Sequence, residues 1–263
     1  MIRVKKDFDD IPKILKSDNR QSAFNKNILE SKYSDEKNLY KVGSVQKKLN
    51  GIYNLKCAYC EKKLLDSPKH IEHYRPKKIY YWLAYSWDNL LLSCGECNSA
   101  KSDKFPIVKN RAVYNDEIFE KIHLLSLSYD ILEQPQIINP EKDDIQSKIV
   151  FDKKGIIFTS DNRIQTTIDI CKLNRESLIQ LREEIFIDFR KDMRGHLEYY
   201  KLKKDMSRFI PTVQTFINNV QIENKFYAFK YFIINNIEIF FEDKLLQKII
   251  KRIIKKLIEK DAN

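Results

Sequence analysis

The sequence predicts an α+β protein, a small strand–loop–strand–helix centre set into a mainly helical scaffold. Three observations predict it. Two Cys-x-x-Cys knuckles, Cys57/Cys60 and Cys94/Cys97, frame one stretch of the chain. Within that stretch, residues 69–74 and 87–93 read as short strands and residues 95–102 as the start of a helix. From about residue 162 onward, apolar residues recur at helical spacing.

The elements follow in order. Residues 1–50 read as an N-terminal helical arm, with helical spacing over 18–29 and again over 34–49. Residues 51–110 hold the centre. Residues 111–263 read as a β-hairpin plus a helical C-terminal region. Residues 111–145 carry no clean period, and Asn139-Pro140 marks a turn. Residues 148–160 place two β-branched and aromatic runs around Asp152-Lys153-Lys154-Gly155, a hairpin pattern. Asn174 is the expected N-cap of a helix carrying Leu178, Leu181, Ile185 and Phe189. Gly195 is a candidate kink or stop, and Pro211 a candidate helix opening. Residues 219–239, rich in Phe, Tyr and Ile, are expected to be buried. The last helix, 241–260, alternates apolar pairs (Leu245-Leu246, Ile249-Ile250, Ile253-Ile254, Leu257-Ile258) with lysines. Such a stripe normally faces the core; a membrane-surface or partner-docking helix is the alternative.

The chain has 263 residues and a formal net charge of +11, which suits a polyanionic partner such as nucleic acid. A lysine-rich, glycine-poor composition, with only 5 Gly, produces the same charge without any binding role, so charge needs a motif beside it. No apolar run is long enough to span a membrane, and the charged N-terminus lacks the apolar core of a signal peptide. The expected location is the cytoplasm, where paired Cys-x-x-Cys motifs mean metal more often than disulfide. No G-x-x-x-x-G-K-[ST] loop is present, so any control by ATP requires another chain.

The two knuckles supply four thiolates, the preferred tetrahedral set of structural Zn²⁺. With every position taken by sulfur, no coordination site stays open for water, so this zinc is expected to staple and not to catalyse. Cys171 lies alone on an apolar pattern and reads as a small buried hydrophobe.

Between the knuckles sit Glu72 and His73, then Asn89, and Asn98 follows Cys97. Phosphodiester hydrolysis needs a base for water and a cation for the charge on the phosphoryl and leaving oxygens. His73 offers the base. Glu72 and Asn98 offer the oxygen ligands that Mg²⁺ or Mn²⁺ prefers. His70, Arg75, Lys77 and Lys101 are candidate phosphate contacts, with His70 also placed to support the site from the same strand face.

The pattern Glu72-His73…Asn89…Cys97-Asn98-x-x-Lys101 resembles the HNH, or ββα-metal, nucleases. The wording CAYCE, HIEHYRPK, WDNLLLSC and CNSAKSDK over residues 55–106 is similar, more narrowly, to the PtuB-type HNH effectors of Septu and retron anti-phage systems. The resemblance implies a zinc-stapled ββα-metal centre inserted in a mainly α-helical scaffold. It implies His73 as general base, Glu72 and Asn98 as ligands of a catalytic Mg²⁺ or Mn²⁺, and Asn89 as the residue that fixes the loop and the His orientation. It also implies an ATPase partner, PtuA. Two positions depart from the common pattern: Asn98 stands where many relatives have His, and Glu72 where many have Asp. DNA is the favoured substrate. An RNA endonuclease acting on tRNA, and a zinc-framed module that binds nucleic acid or protein without cutting, are the alternatives.

Overall fold

The computed structural model describes residues 4–261. Contacts divide the chain into two units. The first comprises residues 1–147 and 160–173, the second residues 148–159 and 174–263.

The first unit opens with α1 (Asp18–Leu29) and α2 (Gly43–Ile52). The first matches its expected span. The second starts only at Gly43, and residues 34–42 form irregular chain where a helix was expected. That segment is held by side chains instead: the Asp35 carboxylate accepts from Leu39 N (2.6 Å) and from the Tyr85 hydroxyl (2.8 Å). Such local side-chain bonds compete with a helical backbone.

At the centre, β1 (Lys69–His73) pairs antiparallel with β2 (Leu90–Cys94), and α3 (Gly95–Lys101) follows at once. The register sets Glu72 opposite Leu91 and His73 opposite Leu90. Residues 87–89, expected as part of the second strand, form a 3₁₀ turn, so the strand begins three residues later. All of β2 is buried. An uninterrupted Leu-Leu-Leu run suits a strand covered on both faces.

Residues 111–145 contain one α-helix that the sequence pattern does not reveal, α4 (Ser126–Glu133), preceded by a 3₁₀ turn at Ile122–Leu124. A buried guanidinium ties it to the centre. Arg75 donates to Glu133 Oε2 (2.8 Å), Ser126 Oγ (3.2 Å) and Asp130 Oδ1 (2.7 Å). Lys6 ties the N-terminal arm in a similar way. Its ammonium donates to the carbonyls of Trp87 (2.7 Å) and Leu90 and pairs with Glu141 (2.8 Å). Helix α5 (Asn162–Ile170) completes the unit.

The second unit begins with the hairpin β3 (Val150–Phe151) and β4 (Ile157–Phe158), at the expected place. Gly155 has φ +81°, and a Cβ there would lie 2.5 Å from Arg182 Cβ, so only glycine fits this turn. Asn174 is not the N-cap of α6 (Glu176–Lys203), a position held by Arg175. Its amide instead pairs with β4, accepting from Ile157 N (2.8 Å) and donating to Ile157 O (2.9 Å). Helix α6 runs through Gly195 without ending. Its buried face is Leu178, Arg182, Phe186, Phe189, Met193 and Leu197; Leu181 and Ile185 lie at its half-buried margin.

Helix α7 (Phe209–Asn218) carries Pro211 in its first turn, where the missing N–H costs no hydrogen bond. Helices α8 (Tyr227–Asn235) and α9 (Ile237–Phe240) follow; burial in residues 219–239 begins at Phe226. In α10 (Lys244–Asp261), Leu246, Ile249, Ile250 and Ile253 are buried against the unit's own helices. At least one residue of each of the first three pairs is therefore core, while Leu245 is exposed and Ile254 and Leu257 are half-buried. The side chain of Ile258 lies outside the described residues. No described helix is long and apolar enough to cross a membrane.

Candidate active site and metal centre

The four knuckle sulfurs converge. Cys57, Cys60, Cys94 and Cys97 are buried, and their Sγ atoms all lie within 4.8 Å of one another. Cys60 and Cys94 stand 3.8 Å apart, close to the edge of a tetrahedron with Zn–S arms of about 2.3 Å. The first knuckle docks on β2 through Ala58 N to Leu92 O (2.8 Å). The second caps α3, with Cys94 Sγ accepting from Cys97 N (3.4 Å). The thiol set and its spacing fit zinc, which would join the start of the centre to the start of its helix. Among the described residues, no second cluster of three His, Cys, Asp or Glu side chains offers a metal site.

His73 ends β1, in a buried setting with 6% exposure. Its Nε2 lies 3.0 Å from the carbonyl oxygen of Ala84. A carbonyl only accepts, so Nε2 carries the proton of this bond. Burial pushes the imidazole down to about 3, against the weaker opposing pull of the Ala84 bond. The ring is thus neutral at ordinary pH, with Nδ1 unprotonated and able to receive a proton. The ring of Tyr40 stands edge-on to the imidazole, centroids 4.5 Å apart.

Glu72 is 5% exposed. Burial raises its carboxyl above the ordinary value, and Lys101 acts in the opposite sense. The Lys101 ammonium lies 2.6 Å from Glu72 Oε1 and donates to the carbonyl of His73 (2.8 Å). One carboxylate oxygen is therefore engaged by α3.

Asn89 is buried and fully used. Its Oδ1 accepts from Arg75 N (2.7 Å), and its Nδ2 donates to the carbonyls of Arg75 (3.0 Å) and Leu83 (3.3 Å). It clips together the two ends of the loop that carries Ala84. Asn98 lies in the first turn of α3, half-buried, and its side chain makes no hydrogen bond to a described residue. The Asn98 amide and the Glu72 carboxylate are oxygen donors of the kind that Mg²⁺ or Mn²⁺ takes.

The four candidate phosphate contacts separate. Arg75 and Lys101 are fully buried and held in ion pairs, Arg75 with Glu133 and Asp130 and Lys101 with Glu72. Lys77 donates to Asn38 Oδ1 (3.0 Å) and the Tyr40 hydroxyl (2.9 Å). His70 is half-buried over the start of α3, where a Cβ on Gly95 would lie 3.2 Å from its Nε2. Sequence reasoning missed Ala84 and Tyr40. A backbone carbonyl leaves no trace in residue type, and Tyr40 lies outside the motif.

Residues 57–104 match the family described as HNH endonuclease, so the chain carries an HNH endonuclease domain. The chain is similar to Septu protein PtuB of Bacillus mycoides (strain KBAB4), 34% identical over 168 residues, which are 57% of this chain and 53% of that protein. It is also similar to Septu protein PtuB of Bacillus thuringiensis, 44% identical over 61 residues, 21% of this chain and 24% of that one. A third match is Septu protein PtuA of Bacillus mycoides (strain KBAB4), 26% identical over 204 residues, 73% of this chain but 26% of that protein. The chain thus spans between about a quarter and about half the length of the curated relatives it matches.

Proposed function

We propose that the protein is a metal-dependent endonuclease that hydrolyses phosphodiester bonds, with DNA as the favoured substrate. The observation that carries this reading is His73: a neutral imidazole, oriented by the Ala84 carbonyl, directly following Glu72 on a strand stapled by the cysteine cage. His73 Nδ1 takes a proton from water as the water oxygen bonds to phosphorus and the bond to the 3′-oxygen breaks. Asn89 holds the loop whose carbonyl orients His73. Lys101 holds Glu72. Glu72 and Asn98 would bind Mg²⁺ or Mn²⁺, which when present offsets charge on the phosphoryl and leaving oxygens. Glu72 and His73 are nearly closed to solvent, so substrate entry requires a local rearrangement, which hydrogen exchange with and without DNA reads.

The similarity to Septu proteins supports a role as the nuclease effector of an anti-phage system. A segment resembling most of this chain makes up about a quarter of the relative named PtuA, which supports working contact with a larger, ATPase-type chain. The test is purified protein with plasmid and with tRNA, each with and without Mg²⁺ or Mn²⁺. Metal-dependent cutting of plasmid, lost in His73→Ala with zinc retained, is the expected result. Cutting of tRNA alone favours the RNA reading. A His73→Ala protein that cuts like the wild type removes the nuclease assignment and leaves a binding module.

A further inference from the structure

We propose that Tyr40 is a positioning residue for His73, so that the nuclease centre is completed by the segment joining α1 to α2, outside the HNH domain. The proposal rests on His73 as the base. The Tyr40 and His73 ring planes lie at 78° with centroids 4.5 Å apart, and Tyr40 is only 3% exposed. Edge-to-face aromatic pairs have a preferred geometry. The His73 ring has one hydrogen bond, at Nε2. With the ring tethered at Cβ and held at Nε2, the tilt of its plane still depends on what packs against its face. A wall on the ring supplies the second constraint, and with it the direction of Nδ1.

Tyr40 is itself held in place. Its hydroxyl accepts from Lys77 Nζ at 2.9 Å. The same ammonium lies 3.9 Å from the centroid of Tyr33 and 4.6 Å from that of Tyr40. The neighbouring backbone is tied to α1, where Arg20 Nη2 donates to Leu39 O (3.0 Å). Lys77 lies in the loop after β1, so the clamp joins the domain and the arm through the catalytic histidine's neighbour.

The test compares full-length wild type with Tyr40→Leu, Tyr40→Phe and Lys77→Met, each with zinc content and melting temperature measured. Steady-state cleavage of plasmid DNA in saturating Mg²⁺ gives kcat and KM. Tyr40→Leu is expected to lower kcat by about 10- to 100-fold, the scale of a misplaced catalytic group, with KM little changed. Tyr40→Phe keeps the ring and should recover most of that loss. Tyr40→Phe and Lys77→Met both remove the Lys77–Tyr40 hydrogen bond, so that shared loss should not add in the double variant, while Lys77→Met also gives up the Asn38 bond and the ring contacts. Independently of activity, the ¹⁵N-histidine spectrum should show the His73 ring signals displaced or broadened in Tyr40→Leu. If that variant does not fold, the Phe and Met variants and their non-additivity carry the test.

Cleavage at or above the wild-type rate in Tyr40→Leu overturns the proposal, because Tyr40 would then be an obstruction or inert. A rise in KM alone overturns it in favour of substrate contact. An inactive wild type, or an active His73→Ala, removes the base reading and the proposal with it. With wild type active and His73→Ala dead, the Tyr40 results bear on the proposal alone.

Discussion

The ammonium of Lys101 lies 2.6 Å from Glu72 Oε1, and neither side chain has more than 6% of its surface exposed. The last turn of α3 is thereby fastened to the acidic residue of β1. Removing one partner of such a pair leaves a buried charge without compensation, typically about 3–5 kcal/mol. Lys101→Met should therefore lower unfolding free energy by about that much and lower nuclease activity as Glu72 loses its place. Urea denaturation and the plasmid assay check both. A variant as stable as the wild type would mean that the pair contributes little.

The imidazole of His73 is held down at about 3 from an ordinary value of 6.5, chiefly by burial, and His123 at about 4 for the same reason. A depressed folded-state value means that the unfolded chain takes up the proton first as pH falls. The stability these residues contribute is complete above pH 6.5 and is lost as pH falls through the folded values. Each contributes a slope of up to ~1.4 kcal/mol per pH unit in that window. Unfolding free energies between pH 7 and pH 4 should show this decline. In the native protein at pH 5, the ¹⁵N shifts of His73 should be those of a neutral ring. Imidazolium shifts at that pH would contradict the burial.

The cysteine cage should hold one zinc, measured by elemental analysis. Chelation or Cys57→Ser should release the metal and unfold the centre, since metal binding can supply about 10–16 kcal/mol in small zinc peptides. Both tryptophans of the chain, Trp82 and Trp87, are buried in the first unit. Their fluorescence therefore reports this transition without interference from the second unit. Unchanged fluorescence after complete zinc removal would show that the fold holds the thiols together without metal.

Asn89→Ala leaves the N–H and the carbonyl of Arg75 without their partner, while the Leu83 carbonyl keeps its bond from Ser86 N. Unsatisfied buried groups cost about 1–3 kcal/mol each, so a total loss near 3 kcal/mol is expected. Asn89→Asp retains an acceptor for Arg75 N but loses both donated bonds, so it should also be impaired. Because the loop carries Ala84, both variants should lose nuclease activity beyond what their folded fraction explains. A loss of activity equal to the unfolded fraction would make Asn89 purely structural.

The sequence by itself determined the chemistry of the centre. Four sulfurs at two-residue spacing, an acid–histidine pair and two asparagines are residue types, and type and spacing are visible without coordinates. It also determined the first helix, the hairpin and the apolar stripe of the last helix, since helical and alternating periods are local. Only the tertiary structure decided the settings. Helix α4 exists at its place because Arg75, far away in sequence, binds Glu133, Asp130 and Ser126. Asn174 faces β4 instead of capping α6 because a free strand edge offered both a donor and an acceptor. Lys101 and Arg75 look like surface cations in the sequence and are interior, because charge alone does not state which carboxylates will face it. The Ala84 carbonyl and the Tyr40 ring reach His73 through long-range packing, which leaves no periodic mark in the chain.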